Sequence, residues 1–328
     1  MTLPYLPRLL CISLATFFLV HLALGMGVSL IAVPAARLGE RIRPHLAARA
    51  MLMLRLLPAA GAAFTVVAVC LPSYLWLEPE APTERVGFGC LATALLGTAM
   101  WAVSIARGVR AAAGSRRFLL SCERSGSPAW EGAWIVDDAA PLLAVGGIVR
   151  PRLVISRGVV SALSAEQLAA ALRHERAHWT ARDNLKRLCV LFTPGVLPFA
   201  GSSQALERGW RQFAEWAADD RAVGGSARGA VALAGALVRV ARLAADAPQS
   251  SQPSPIFLPL LGDNDRLAAR VDRLLRPVPP SPASERPAGR RPILALSAIL
   301  LMAGTLAAAI LQPAALYSVH VALEHLVE

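Results

Sequence analysis

Residues Leu9 to Ala36 read LLCISLATFFLVHLALGMGVSLIAVPAA, 28 positions without a formally charged side chain. A helix needs about 20 predominantly apolar residues to cross the hydrocarbon core of a bilayer. The apolar core of a cleavable signal peptide is shorter, about 7–15 residues, so this stretch reads as a membrane anchor. Three more uncharged runs are of spanning length: Leu56 to Leu77, Val86 to Ala106 and, near the end, Ile293 to Val319. The whole composition agrees. Of 328 residues, 55% are apolar and only 17% charged, with a mean hydropathy of +0.50, where an ordinary soluble domain carries about 25% charged residues. Disordered, fibrous and disulfide-stapled classes are excluded. The five cysteines (Cys11, Cys70, Cys90, Cys122, Cys189) are scattered without a CxxC pair, which supports neither a disulfide framework nor a thiolate metal site.

The net charge of +11 invites a nucleic-acid reading, but the placement of the charges answers it differently. Every basic residue except Lys186 is arginine, and the arginines gather at span boundaries. Arg37, Arg41, Arg43, Arg49 and Arg55 lie between the first two runs. Arg107, Arg110, Arg116 and Arg117 follow the third, whereas the loop between runs two and three holds Glu78, Glu80, Glu84 and a single Arg85. By the positive-inside rule the first loop and the segment after run three are cytoplasmic. The N-terminus is then outside, with Arg8 as a contrary charge, and the polar middle of the chain is cytoplasmic. The piece Cys189 to Ala200, CVLFTPGVLPFA, is too short to span and is broken by two prolines and a glycine; it reads as buried or as dipping into the interface. Ala245 to Pro255 and Arg276 to Pro292 are Pro- and Ser-rich tethers.

The chemistry concentrates in the polar middle. Ser164-Ala-Glu-Gln167 is a capping box that starts a helix, and the helix continues LAAALRHERAHWTAR. It contains His174-Glu175-Arg176-Ala177-His178. Residues four apart share a helical face, so both imidazoles can ligate one metal, while Glu175 sits beside the first of them in reach of a metal-activated water. The apolar stripe Leu168, Ala171, Leu172 runs on into Glu175 and His178. In a purely structural helix this would turn ionisable groups into a core at a cost of several kcal/mol. With six His and 13 Glu in the chain, chance supplies on the order of 0.004 such motifs. Two His leave a metal short of ligands, and Glu215-Trp-Ala-Ala-Asp219 on a second helix offers the rest. Glu215 completes a His2Glu set with one position open, and Asp219, one turn on, can accept the free ring N–H of a ligating His. Upstream, Trp134 to Asp138 and GGIVRPRLVIS, Gly146 to Ser156, read as strands of a small sheet whose edge can pair with an extended peptide.

The run RPRLVISRGVVSALSAEQLAAALRHERAHWTARDNL resembles the metallopeptidase core of the BlaR/MecR-type integral membrane family. EWAADDRA resembles the second motif shared with the CAAX-protease and heat-shock membrane metallopeptidases. The resemblance implies zinc bound by His174, His178 and Glu215, Glu175 as general base and then acid, and Asp219 as the partner of a ligating His. It also implies a downstream His or Arg that stabilises the oxyanion. No His lies between His178 and His320, so Arg270, in ARVDRLL, is the expected residue. Only a few residues, roughly Ser318 to Glu328, remain at the end of the last run, with no SxxK motif, so the extracellular sensor domain of BlaR-type transducers is expected to be lacking and any sensor to be a separate protein.

The expected fold class is mainly α: a multi-span membrane protein with a cytoplasmic α+β gluzincin-like metallopeptidase core. Residues 1–109 would form three transmembrane helices with a cytoplasmic Arg-rich loop, and 110–275 the zinc peptidase domain. A Pro-rich linker (276–292), a C-terminal transmembrane helix (293–319) and a short external tail (320–328) would follow. The expected setting is the bacterial inner (plasma) membrane. The expected activity is zinc-dependent cleavage of a cytoplasmic or membrane protein, a transcriptional repressor being one substrate the resemblance implies, and no direct nucleic-acid binding is expected. The alternative is a non-catalytic signalling scaffold with a structural or vestigial zinc site. The intact Glu175 counts against it, since a structural site needs no general base.

Overall fold

A computed structural model describes residues 2–77, 84–128, 133–137, 141–148, 150–195, 200–246, 267–276 and Val321. The fourth apolar run, both tethers beyond their first residues and most of the external tail lie outside the described residues.

In lipid, every backbone polar group has to be satisfied within its own segment, and the three N-terminal apolar runs accordingly form long helices. The first is α1, Tyr5–Gly39. The second combines α2, Pro44–Thr65, a π-helical turn over Val66–Cys70, and α3, Leu71–Leu77. The third is α4, Phe88–Ser125. Each is long and apolar enough to cross a membrane. Their outward faces carry exposed Leu30, Met53, Val67 and Leu95, side chains suited to hydrocarbon. Two short strands, β1 at Thr2–Leu3 and β2 at Glu84–Arg85, pair antiparallel at one end of this bundle. Arg8 lies at the same end, fully buried. It donates from Nε to the Tyr74 hydroxyl (2.6 Å) and stacks over that ring, so the contrary charge is folded into the bundle rather than displayed in a loop.

α4 does not stop where its apolar run stops. Its 38 residues make a rod of about 57 Å, and the part beyond Ala106, carrying Arg107, Arg110, Arg116 and Arg117, runs on to pack against α7 at Gly108 and against the sheet through Cys122. The expected division at 109/110 therefore falls within one continuous helix. At its end begins a four-stranded sheet in the order β3-β4-β6-β5: β3 at Gly126–Pro128, β4 at Ala133–Val136, β5 at Leu143–Gly146 and β6 at Arg152–Ser156. β4 and β6 run parallel and β5 is antiparallel to β6. The two strands expected from sequence are β4 and β6. β6 is an interior strand, however, so the free edge on that side belongs to β5.

Helices then cover the sheet: α5 (Arg157–Ala162), α6 (Ala165–Ala181), α7 (Asp183–Phe192), α8 (Ala200–Val223), α9 (Ala227–Asp246) and α10 (Leu267–Leu275). One apolar core joins Leu143, Val145 and Ile155 of the sheet to Leu168 and Leu172 of α6 and to Leu233 and Leu237 of α9. α8 is shared with the bundle. Its Leu206, Trp210 and Phe213 pack against Val28 and Ala32 of α1 and Ala47 and Met51 of α2. Buried Arg55 of α2 pairs with Glu207 of α8 at 2.9 Å and also donates to the carbonyls of Thr193 and Pro194 at 3.4 Å. Arg107 of α4 donates to the same Thr193 carbonyl at 3.3 Å. These two arginines stand at the ends of the second and third apolar runs. Thr193 and Pro194, just past the end of α7, thus lie at the level of that boundary. α7 ends at Phe192, and among the described residues the next three, 193–195, are not helical.

The α1–α4 contact depends on Gly97, where a Cβ would stand 2.7 Å from the backbone oxygen of Leu14. Gly97→Leu is expected to lower stability by about 1–3 kcal/mol through overpacking, read as a lower thermal midpoint in detergent. Gly27→Leu, at a position with nothing within 4 Å, should leave the midpoint nearly unchanged; equal midpoints for both variants would refute the packing.

Candidate metal centre

The metal helix is fixed at both ends. At its start, Ser164 Oγ accepts from the Gln167 amide (3.3 Å) and Gln167 Oε1 from the Ser164 amide (3.1 Å), satisfying two amides that a helix start leaves open. At its end Arg182 adopts φ 55° and ψ 41°, a left-handed conformation unusual for a side chain with a Cβ. That corner turns the chain sharply into α7 and returns Asp183 to the last turn of α6. Between the two ends, Leu168, Ala171 and Leu172 bury into the core, and the same face delivers His174, Glu175 and His178 to the interior, all three at most 5% exposed. α8 approaches through the small side chains of Ala218 and Ala222. Arg173 of α6 donates to the Ala222 carbonyl (2.9 Å) and Arg221 of α8 to that of Ala177 (3.3 Å), tying the two helices.

This brings together every site residue expected from sequence. The Nε2 atoms of His174 and His178 lie 3.1 Å apart. Glu215 places Oε2 3.4 Å from His174 Nε2 and Oε1 3.5 Å from His178 Nε2. Tetrahedral zinc with bonds of about 2.0–2.2 Å separates its ligand atoms by about 3.4 Å, so the three donors already stand at the spacing one ion requires. Both Glu215 oxygens are buried and make no well-formed hydrogen bond; Oε2 has an ion pair with Arg270 Nη1 at 3.0 Å, which leaves lone pairs on the carboxylate for a metal ion. Among the described residues, His174, His178 and Glu215 are the His/Cys/Asp/Glu group that could hold a metal ion.

Each imidazole is held from behind. Asp219 Oδ1 lies 2.9 Å from His174 Nδ1, and Asp183 Oδ2 lies 2.8 Å from His178 Nδ1. Carboxylates in that position fix the tautomer with Nε2 free for metal. Burial alone would make both rings less basic, but Asp219 and Glu215 raise His174 above the usual range, and Glu215 and Asp183 hold His178 well above it. Glu215 is itself held well below the usual carboxylate range: burial opposes ionisation, and Arg270 and His178 outweigh it. The field at the two Nε2 atoms is therefore negative.

Arg270, on α10, is buried and grips the acidic side of the site. Nε and Nη2 meet Asp219 Oδ2 and Oδ1 at 3.0 and 2.7 Å, and Nη1 meets Glu215 Oε2 at 3.0 Å. Glu175 is fully buried, with its pKa pushed up to about 7, first by burial, with the two imidazoles drawing it back. Its Oε2 accepts from the Val145 amide of β5 at 3.1 Å, so the outer edge of β5 borders the site. Asn184 Nδ2 caps that edge, donating to the carbonyls of Val145 (2.8 Å) and Gly147 (3.0 Å). Alongside it opens a cavity of about 420 Å³, lined by His178, Val145, Ile148, Pro151, Trp179 and Leu185.

Asp183 and Asn184 are the functional neighbours that sequence reasoning missed. The signal was present in ARDNL, directly after the metal helix. Without the left-handed corner at Arg182, however, position 183 reads as a residue one turn too far along to meet His178.

Fold and site together define a metallopeptidase-type centre on a protein with three candidate membrane helices. Residues 125–248 match the family model described as Peptidase family M48, and over that stretch the match supports a metallopeptidase of the M48 type, a class typically dependent on zinc. Comparison with curated proteins and with solved structures gave no match.

Asp183→Asn should lower metal affinity about 10- to 100-fold, measured by competition with a zinc chelator, because the amide can present its NH2 to Nδ1 and favour the wrong tautomer. Arg270→Gln should act instead on stability. It strips the cation from two buried carboxylates, and breaking a buried pair costs about 3–5 kcal/mol, read from denaturant unfolding of the metal-free protein. Chelator resistance equal to wild type in Asp183→Asn, or unaltered unfolding in Arg270→Gln, would contradict these assignments.

Proposed function

We propose that the protein is a membrane-embedded zinc-dependent endopeptidase that cuts a cytoplasmic or membrane protein substrate. One observation carries the reading: three donor atoms, His174 Nε2, His178 Nε2 and a Glu215 oxygen, converge at 3.1–3.5 Å beside a buried Glu175 that is not among them. Zinc held by these residues would supply the positive charge that acidifies a water molecule and polarises a peptide carbonyl.

The remaining chemistry belongs to the chain. Glu175, poised near neutrality, takes the proton from the attacking water and hands it to the departing amine nitrogen. The Val145 amide holds the Glu175 carboxylate beside the imidazoles. Asp219 and Asp183 keep the imidazoles aligned. All three terminal nitrogens of Arg270 face Glu215 and Asp219. This supports a part in holding those carboxylates in place of the oxyanion role expected from the family resemblance. An extended substrate would lie along the outer edge of β5, taking the place of Asn184 on the Val145 and Gly147 carbonyls, with a side chain in the adjoining apolar cavity.

The Arg-rich segments beside α1, α2 and α4 support an orientation with the metal centre in the cytoplasm of a bacterium and the protein in its inner (plasma) membrane. The BlaR/MecR resemblance favours a repressor as substrate. A scaffold with a structural zinc site has no use for a buried carboxylate beside the ligands, held near neutrality at a desolvation cost.

Zinc content and cleavage of casein or of the protein itself, in detergent, test the proposal. Wild type should bind about one zinc, and Glu175→Gln should keep it while losing about 10²–10⁴-fold or more in rate; His174→Ala should lose the metal as well. Undiminished cleavage by Glu175→Gln with zinc retained would overturn the mechanism, and a wild type without zinc would overturn the site.

A further inference from the structure

The bundle end opposite the metal centre holds a second cluster of reactive side chains that the peptidase reading does not use. Cys11 lies in the second turn of α1 and Cys90 in the first turn of α4. Seventy-nine positions apart in sequence, they meet with their sulfurs 3.8 Å apart. Both are buried, at 6% and 1% exposure, in an apolar shell of Ile12, Ala15, Tyr74, Val86 and Ala94. The end is closed by the β1–β2 pair, whose strands immediately precede α1 and α4. The chain thus brings two thiols into van der Waals contact at a point where two spans enter the membrane, a proximity that no spacing in the sequence announces.

We propose that Cys11 and Cys90 form a disulfide that ties the first span to the third at the extracytoplasmic face. A sulfur–sulfur contact of this kind needs side-chain rotation and a small helix approach to reach the bond length of about 2.05 Å, and the packing of α1 on α4 already holds the two backbones together. The redox environment follows from the proposed orientation: with the Arg-rich ends in the cytoplasm, this end faces the compartment where disulfides persist. The bond forms by exchange with a disulfide-bearing oxidant. The thiolate of one cysteine attacks the oxidant disulfide and expels one of its sulfurs as a thiol, giving a mixed disulfide. The thiolate of the other cysteine then attacks the protein sulfur and releases the second oxidant sulfur. Two protein thiols lose two protons and two electrons, and the oxidant is reduced to its dithiol. Because both sulfurs are enclosed in the finished bundle, a protein-sized oxidant reaches them only before the helices close around them, whereas a small membrane-permeant oxidant can reach them afterwards. Cys70 shares the same apolar cluster and serves as an internal control.

The inference rests on the proposed orientation and is independent of peptidase activity. The full-length protein in its native membranes is denatured in acid, its free thiols are blocked with N-ethylmaleimide, and the sample is then reduced and labelled with a mass-adding maleimide. Wild type should gain two labels on reduction, Cys11→Ser and Cys90→Ser none, and Cys70→Ser the same two as wild type. A wild type that gains none overturns the native disulfide, as does a Cys70→Ser protein that loses its two labels. In the first case, brief treatment of the membranes with copper phenanthroline separates the causes. Rapid gain of two labels dependent on Cys11 and Cys90 would fault the orientation, while no gain would fault the pairing itself.

Discussion

The contact between His174 Nδ1 and Asp219 Oδ1, 2.9 Å across the interface of α6 and α8, sets the register on which the centre depends. A helix advances 1.5 Å and turns about 100° per residue. Sliding α8 by a single position would carry Asp219 away from the imidazole and swing Glu215 out of reach of both Nε2 atoms. The contact is polar, buried and backed by Arg270, so an alternative register would leave unpaired charges in the interior, a penalty of several kcal/mol. Side-chain chemistry thus selects one arrangement of two helices whose small residues, Ala218 and Ala222, would tolerate several.

What fixes α8 in turn is the membrane bundle. Its N-terminal half is wedged between α1 and α2, with Arg55 holding Glu207, and eight positions further on the same rod presents Glu215. That places this candidate metal ligand about 12 Å beyond the Arg55 level. α7 bridges a similar gap: its ten residues, about 15 Å, run from Asp183 at the centre to the Thr193 carbonyl held by Arg55 and Arg107. Two rods, one carrying a candidate ligand and the other the partner of a candidate ligand, both rest on Arg55, and α7 rests on Arg107 as well. The centre is therefore built onto the spans, and a shift of α2 against α4 would be transmitted to both imidazoles.

Much of this was legible in the sequence where the physics is local. The three long apolar N-terminal helices, candidate spans, follow from uncharged length, the start of α6 from its capping box, and the His174/Glu175/His178/Glu215 set from spacing on helical faces. Asp219 was legible for the same reason. What escaped needed a tertiary or irregular element. Asp183 depends on the left-handed corner at Arg182. β5, LAVG, is buried at all four positions and shows no alternation to betray a strand. Arg8 reads as a loop charge until Tyr74, 66 positions away, is seen to enclose it. The continuity of α4 through residue 110 was hidden because a change from apolar to Arg-rich composition marks the edge of a membrane, not the end of a helix.

Arg8, Arg55 and Arg270 share one physical logic. Each is an arginine enclosed by the protein and met by a rigid partner: the Tyr74 hydroxyl and ring, the Glu207 carboxylate with two carbonyls, and the Asp219–Glu215 pair. Lysine would not substitute equally, because its compact, strongly hydrated charge lacks the planar fork that meets two acceptors at once. That gives a structural reason for the arginine bias at these three positions. The first fastens one end of the bundle, the second fastens the bundle to α8, and the third fastens α8 to α10 across the ligand Glu215. The chain of fixed charges runs from the apolar bundle to the candidate metal centre, and α8 is the element through which it passes.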